Sequence, residues 1–197
     1  MILPVVTYGH PVLRAKGARV QQVTPAIKRL VADMYETMHA AHGIGLAAQQ
    51  VAQTVQVALF DLRDVKDRPS TLEVDGHPAD VEAFMPLVLI NPELQPLGDP
   101  VTGPEGCLSF PEIFADITRL GMVDVAALDQ EGRPVTFRCG GLLSRAIQHE
   151  TDHLHGILFI DRMSRKVKEE LQPELDRLQA ETKAALKRAE RQVSQTG

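Results

Sequence analysis

The clearest sign of a reactive site in this chain is a pair of histidines four residues apart. They lie in the run His149-Glu150-Thr151-Asp152-His153. On a helix, side chains at positions i and i+4 share one face, one turn apart, so both imidazoles can bind one metal ion. The glutamate beside the first histidine can then act as general base on a water molecule at that ion. The pattern predicts a hydrolytic metal site.

The residues around this motif favour a metal over an ordinary role for the histidines. Leu142 to His155 are apolar on most sides, which predicts a buried central helix. A single helical histidine would more simply be a solvated or core residue. Two imidazoles and a carboxylate buried here without partners would be costly, and a shared ion removes most of that cost.

A catalytic metal of this kind needs a third protein ligand and one open position. His155 is too close along the helix, and no histidine follows it. Glu169, Glu170 and Glu174 are not excluded by their spacing. The better candidate is Cys107, although single cysteines are more often small buried hydrophobic residues. The residue types alone therefore leave the third ligand open.

A helix near the N-terminus is the first of the elements that must position the motif. Thr24 and Pro25 suit an N-cap and a first helical position, and the apolar stripe that follows predicts a helix to about Ala41. Gly43 would supply the left-handed residue just past the end of this helix. The glycine-rich run after it is not expected to continue the helix.

Short apolar runs predict strands at 55–60 and 86–90, the second ended by Asn91 and Pro92. Between Gly98 and Phe137 the sequence is rich in turns and strand-like, with a hairpin turn at 129–133.

Two further segments complete the predicted organisation. The polar residues 61–83, which include proline and glycine, predict a surface loop. Ser164 suits the N-cap of a charged final helix that reaches about Gln192, with a kink or a break at Pro173.

Composition excludes several classes of protein. The 197 residues suit one domain, with or without an appended segment, and the net charge of -5 does not suggest a nucleic-acid binder. We see neither a secretory signal nor a window of about 18 apolar residues that could span a bilayer. Cys107 and Cys139 are too few for a disulfide framework. We therefore expect a cytoplasmic protein with reduced thiols.

Three separated segments resemble, in order, the signature motifs of the peptide deformylase family. They read GIGLAAQQ at 43–50, EGCLS at 105–109 and QHETDHLHG at 148–156. Weaker likeness extends to HPVLR, LINPE and GLLSRAIQHE, at 10–14, 89–93 and 141–150. The resemblance covers about residues 1 to 163, with a gap at the 61–83 segment.

The resemblance implies a reaction and a ligand set. By this likeness, Cys107, His149 and His153 bind the metal, and water takes the fourth position. That water attacks the formyl carbon of an N-terminal N-formylmethionine, and formate is released. Glu150 takes a proton from the water and later delivers one to the leaving amine.

The same resemblance implies how the substrate and the oxyanion are bound. The side chain of Gln50 and the backbone N–H of Leu108 would donate to the tetrahedral oxyanion. Gly43, Ile44 and Gly45 would pair with the main chain of an extended peptide. Taken alone, Gln50 would be interpreted as a solvated polar residue.

Fold, domains, metal and partners follow as expectations. The fold is α+β, with antiparallel sheets wrapped around a central metal-binding helix, an N-terminal helix and a C-terminal helix. Residues 1–163 form the catalytic domain and residues 164–197 a helical extension packed on or trailing it. The ion is iron(II) in the cell, with zinc or nickel possible in purified protein. The partners are N-formylmethionyl nascent peptides, and the final helix could contact the ribosome transiently; we expect neither a membrane nor sequence-specific nucleic acid.

One stretch departs from the family pattern. Many members carry a basic residue shortly after EGCLS-x-P that contacts the substrate backbone, whereas residues 112–115 here read Glu-Ile-Phe-Ala. Arg119 could instead pair with Glu105 and brace the cysteine segment. Cys139 matches no ligand position, and we interpret it as structural.

Two other functions use the same residues. A zinc endopeptidase shares the helical motif, but a cysteine as third ligand argues against it. A non-catalytic binding protein would require a broken site, yet Gln50, Cys107, His149, Glu150 and His153 are all present.

Overall fold

Antiparallel strands surround one buried helix in the computed structural model, which describes residues 1–196 and the side chains of residues 1–192. The helices are α1 (Pro25–Ala40), α2 (Gly141–Leu154) and α3 (Arg165–Thr196). This architecture is the predicted α+β fold with a central helix. None of the helices in residues 1–196 combines the length and the apolar character that crossing a bilayer requires.

The strands form one sheet in the order β1-β2-β5-β6-β7-β3-β4, and neighbouring strands are antiparallel. Within the described residues the strands form one continuous sheet, whereas the prediction was of sheets in the plural. β1 lies at one edge of it. The strand bounds are Gly45–Ala47 (β1), Val57–Phe60 (β2), Ser70–Val74 (β3), His77–Pro78 (β4), Leu87–Cys107 (β5), Phe110–Leu128 (β6) and Pro134–Gly140 (β7).

Helix α1 begins as predicted and ends slightly differently. The Thr24 side chain accepts a hydrogen bond from the Ile27 N–H at 3.4 Å, with Pro25 in the first turn. The left-handed residue after the helix is His42, with φ 54°, so the assignment of that role to Gly43 was wrong. An added Cβ on Gly43 would lie 2.9 Å from a methyl group of Leu108, so a side chain there would displace the end of that leucine.

The prediction of a surface loop at 61–83 was wrong for its second half. β3 and β4 form a hairpin there, with left-handed residues Asp75 and Gly76 at its turn. β3 also pairs with β7, which places Leu72 opposite Cys139. The segment looks polar in sequence because Leu72 is the fully buried residue of β3, and its two neighbours face solvent.

The expected strand end at Asn91 was also wrong. β5 continues through an irregularity between Ile90 and Glu93 and reaches Cys107. Asn91 takes a left-handed conformation, φ 54°, and its side-chain amide bonds both the N–H and the C=O of Val20 at 2.8 Å. A sequence that looks like a break is therefore a bulge inside a longer strand.

The remaining elements follow the predictions more closely. The turn at 129–133 joins β6 to β7, and the Asp129 N–H donates to the Arg133 carbonyl at 2.9 Å. Helix α2 covers almost the predicted span, and residues 142–154 are all buried. This burial is the setting that the histidine motif was expected to have.

Helix α3 begins after Ser164, whose hydroxyl accepts from the Val167 N–H at 3.3 Å. The helix continues through Pro173, so the expected break is not there. Leu175, 1% exposed, packs into an apolar cluster with Leu13 and Phe110. The division of the chain after residue 163 stays a prediction.

Candidate metal centre

The N-terminus of α2 is held by residues from β3 and the segment before it. Gly141, with φ 67°, starts the helix beside the Pro69 carbonyl. That carbonyl accepts from the Leu142 N–H at 3.2 Å, and the Ser70 hydroxyl accepts from the Leu143 N–H at 3.0 Å. These bonds satisfy backbone N–H groups of the first helical turn that have no partner within the helix, and they fix where the helix begins.

The histidines of α2 meet a cysteine from the tip of the β5–β6 hairpin. Ligand atoms of Cys107, His149 and His153 all lie within 4.8 Å of one another. The Cys107 Sγ is 3.3 Å from the His153 Nε2, and the two imidazole ring centres are 5.2 Å apart. The structure thus brings together the three side chains that the resemblance named as ligands.

Burial and hydrogen bonding shift the pKa values of the two imidazoles in opposite directions. Burial lowers the pKa of His153 well below its usual value, so this ring is neutral, the form that binds metals. Burial opposes protonation of His149 as well, but hydrogen bonds with Cys107 and Glu105 raise its pKa well above the usual value. Only an unprotonated ring nitrogen binds a metal, so an ion at this point would take the place of the proton on His149. A cysteine thiolate with two imidazoles would suit zinc, iron or nickel.

Glu105 orients His149 and is itself held by two guanidinium groups. Its carboxylate lies 2.9 Å from the His149 Nδ1, which leaves the Nε2 of that ring for the centre. Arg119 donates to the two oxygens at 2.6 and 3.0 Å, and Arg145 donates at 2.8 Å. Burial alone would raise the pKa of Glu105, but the bonds from His149 and Arg119 lower it to about 2. The predicted pair of Arg119 with Glu105 is confirmed.

Two members of this network were missed in the sequence. Arg145 lies on α2 and also donates to the Ile117 carbonyl at 2.8 Å. Asp152 accepts from Arg119 at 2.9 Å and from Arg162 at 2.7 Å. A charged residue in the middle of an otherwise apolar helix was the available signal, because such a group is rarely buried without a partner.

We expect Glu105→Gln to lower the free energy of unfolding by about 3 kcal/mol, because Arg119 and Arg145 would lose their buried carboxylate. The metal affinity should fall by roughly 10- to 100-fold, since His149 would lose the group that orients it. Urea unfolding and a competition titration with a metal indicator measure the two effects.

The matched control is Asp124→Asn, which breaks an exposed pair with Arg138 and should barely move the unfolding midpoint. Equal effects of Glu105→Gln and Asp124→Asn would contradict a bracing role for Glu105.

Glu150 is buried against the edge strand, next to the centre. An added Cβ on Gly45 would lie 2.7 Å from the Glu150 Oε1, so the carboxylate requires glycine at that position. Burial raises the pKa of Glu150 to about 7. Its Oε2 is buried and has no hydrogen-bond partner among the described residues. Such a carboxylate is poised to exchange a proton near neutral pH.

Gln50 presents its amide N–H to the same centre. It lies in a short 3-10 turn, Ala48–Val51, and is 1% exposed. Its Oε1 accepts from the Ala47 N–H at 2.8 Å, which fixes the amide with its nitrogen turned toward Cys107, 3.5 Å from the sulfur. Gln50 is therefore a preorganised donor rather than a solvated side chain.

A cleft of about 580 Å³ connects these groups. Among the residues that line it are the predicted site residues Gly43, Ile44, Gly45, Gln50, Cys107, Leu108 and Glu150. A smaller cavity of about 80 Å³ adjoins the cleft and shares Ile44, Gly106 and Glu150 with it. Its further walls include Leu142, Ala146 and His149, together with Arg68 from the segment predicted to be a surface loop.

Comparison with families and known sequences points to one group of proteins. The family model for polypeptide deformylase matches residues 2–169. A peptide deformylase of Methylacidiphilum infernorum is 47% identical, over 90% of this chain and 93% of the relative. A peptide deformylase of Opitutus terrae is 42% identical, over 95% of this chain and 98% of the relative.

Solved structures give the same result. The peptide deformylase of Synechococcus elongatus, in complex with actinonin, matches with a TM-score of 0.74 and 36% identity over 87% of this chain and 85% of that chain. A peptide deformylase of Plasmodium falciparum matches with a TM-score of 0.77 and 30% identity over 91% of this chain and 97% of that chain.

Proposed function

Because this chain belongs to the polypeptide deformylase family, a family of enzymes, we propose that its metal centre removes the formyl group from N-formylmethionyl peptides and releases formate. The observation that carries this proposal is the meeting of Cys107 with His149 and His153 beside a cleft that Cys107, Gln50 and Glu150 line. A non-catalytic protein would have no need to keep a buried base and a fixed amide donor beside its metal ligands.

Cys107, His149 and His153 would hold one divalent ion, and we propose iron(II) in the cell. Zinc or nickel would suit the same thiolate and imidazoles, and either could replace iron in purified protein because ferrous iron beside a thiolate is oxygen-sensitive. When bound, the ion supplies Lewis acidity that polarises the formyl carbonyl and eases deprotonation of water.

Glu150 would carry the proton transfers. Its carboxylate accepts a proton from the attacking water and later delivers one to the amine that leaves the formyl carbon. Its pKa of about 7, raised by burial, suits both steps because an efficient general acid and base titrates near the working pH. The contact with Gly45 sets the carboxylate beside the strand that would bind the peptide.

Gln50 and Leu108 would stabilise the oxyanion that develops on the formyl oxygen. The Gln50 amide is already oriented by the Ala47 N–H, so it would donate without reorganising, which is what makes such donors effective. Leu108 follows Cys107 at the hairpin tip and lines the cleft, where its backbone N–H would be the second donor.

The peptide would add as a further strand to the edge of the sheet. β1 lies at that edge, and Gly43, Ile44 and Gly45 line the cleft beside it, so an extended main chain can pair there. The methionine side chain would enter the smaller cavity, whose walls include Ile44, Leu142 and Ala146. These apolar side chains would contact the methionine, although Arg68, Glu105 and Arg145 also line the cavity.

Release of formate from a formyl-Met-Ala peptide, measured beside cleavage of casein, tests this function. We expect formate release without internal cleavage of casein. Casein cleavage without formate release would instead indicate the zinc endopeptidase that shares the helical motif. A metal-loaded protein that does neither would support a non-catalytic role.

We also propose a cytoplasmic enzyme that acts on nascent chains and contacts the ribosome transiently through α3. Nine lysine or arginine residues lie between Arg162 and Arg191, and basic side chains suit a surface that approaches RNA. Co-sedimentation with ribosomes tests this contact, with the exposed residues Lys183, Lys187 and Arg188 changed to glutamate. Unchanged co-sedimentation of this variant would rule out the proposed ribosome contact. In this proposal residues 1–163 form the catalytic domain, and residues 164–197 form the extension that contacts the ribosome.

A further inference from the structure

Phe114 is an aromatic residue on the outward face of β6. Burial alternates along this part of the strand, with Ile113 and Ala115 buried and Glu112 and Asp116 exposed. Phe114 shares the exposed face with these two acids, yet its own side chain is large and apolar, and the residue is 68% exposed. A single exposed hydrophobic residue needs no explanation by itself. The location of Phe114 beside the metal centre does need an explanation.

The ring of Phe114 lies against the backbone beside the metal centre. Across the β5–β6 hairpin, Phe114 pairs with Gly106, which is the residue before Cys107. An added Cβ on Gly106 would lie 2.6 Å from the Phe114 Cε1. The ring therefore lies directly on the Gly106 backbone, a position that a side chain on residue 106 would block. Phe114 is an apolar platform at the rim of the cleft.

The surroundings of this platform are apolar and acidic. Leu108, Phe110 and Pro111 line the same cleft as Phe114, and its carboxylates come from Glu112 and Glu150. Within the side chains of residues 1–192, no lysine or arginine is among the groups that line it. A ligand segment bound here would gain from apolar or aromatic side chains and lose from negative charge.

We propose that Phe114 selects the residues that follow the methionine, favouring apolar and aromatic side chains and disfavouring acidic ones. The inference rests on the proposed function, which puts the formylated methionine in the smaller cavity and its main chain along β1. Ile44 and Gly106 belong to both cavities, so a peptide that leaves the smaller one passes the ring that lies on Gly106. The occupant is thus the downstream part of the substrate itself.

Formate release from short peptides tests this selection. The peptides are formyl-Met-Phe-Ser, formyl-Met-Ser-Phe, formyl-Met-Ser-Ser and formyl-Met-Asp-Ser, each assayed with the wild type and with Phe114→Ala. We expect kcat/KM of the wild type to favour one or both phenylalanine peptides over the serine peptide by roughly three- to tenfold. In Phe114→Ala this ratio should fall close to one. The aspartate peptide should be the poorest substrate, and Glu112→Gln should improve it.

Two further variants make the result specific. Phe84→Ala removes another partly exposed phenylalanine, on the short helical turn Glu82–Phe84 away from the cleft, and should keep the wild-type ratio. Phe114→Leu should keep part of the preference because it retains apolar surface. A ratio unchanged in Phe114→Ala, or a wild type indifferent to the second and third residues, would overturn the inference while formate release continues. Loss of formate release from every peptide in the wild type would instead reject the proposed function.

Discussion

Glu150→Gln should lower kcat for formate release by more than about 10³-fold while the protein keeps its metal. Glutamine has nearly the same shape, so it should fill the buried site against Gly45, but it cannot accept a proton from water or return one to the amine. The carboxylate has a pKa of about 7 in this setting because burial raises it, and the amide has no equivalent titration. Steady-state formate release and the metal content per chain are measured on the same preparation.

Glu73→Gln is the matched control for this result, because Glu73 is an exposed carboxylate on β3 outside the cleft. It should leave kcat within twofold of the wild type. If Glu150→Gln retained its metal and more than one tenth of the wild-type rate, the proton transfers would have to be assigned to another group. If Glu150→Gln lost its metal, the carboxylate would be acting as a ligand instead.

Cys107→Ala should abolish stable metal binding and, with it, formate release. As a ligand, Cys107 would supply the anionic thiolate of the three-residue centre. Its removal would leave two imidazoles from one helix to hold a doubly charged ion. Loss of a residue that merely orients a ligand costs roughly 10- to 100-fold in metal affinity, and loss of a ligand should cost more. The metal content of the purified protein should fall to below about one tenth of the wild-type value.

The chain offers its own control in Cys139→Ala. Cys139 is 1% exposed in the main apolar cluster, and burial raises its pKa to about 12, so it remains a thiol. Its removal should leave the metal content unchanged and cost only some stability. Equal metal contents in the two cysteine variants would show that Cys107 is not a ligand, and the proposed centre would then be wrong.

The contacts that lie within one stretch of chain could be predicted from the sequence. The i, i+4 spacing of His149 and His153 places both rings on one helical face, whatever the rest of the fold does. The capping of α1 by Thr24 and the span of α2 depend on neighbouring residues in the same way, and both predictions are confirmed. The resemblance added Cys107 to this set, which the residue types alone had left open.

Contacts between distant segments were decided by the tertiary structure. Cys107 reaches the histidines because β5 continues past Asn91 through a bulge, which the sequence presents as a strand end. The Gln50 amide is oriented by a turn, and the first turn of α2 is capped by Ser70 from a segment predicted to be a loop. The buried contacts of Arg145 and the place of Phe114 beside Gly106 depend on the pairing of β5 with β6.

The physical reason is that local spacing determines which side chains share a helical face, whereas the distance between two elements depends on strand register and packing. A shift of one residue in the pairing would turn every side chain of a strand to its other face. Such a shift in β6 would remove Phe114 from its place on Gly106 and separate Arg119 from Glu105. His149 and His153 would still share their helical face, since α2 holds their spacing by itself.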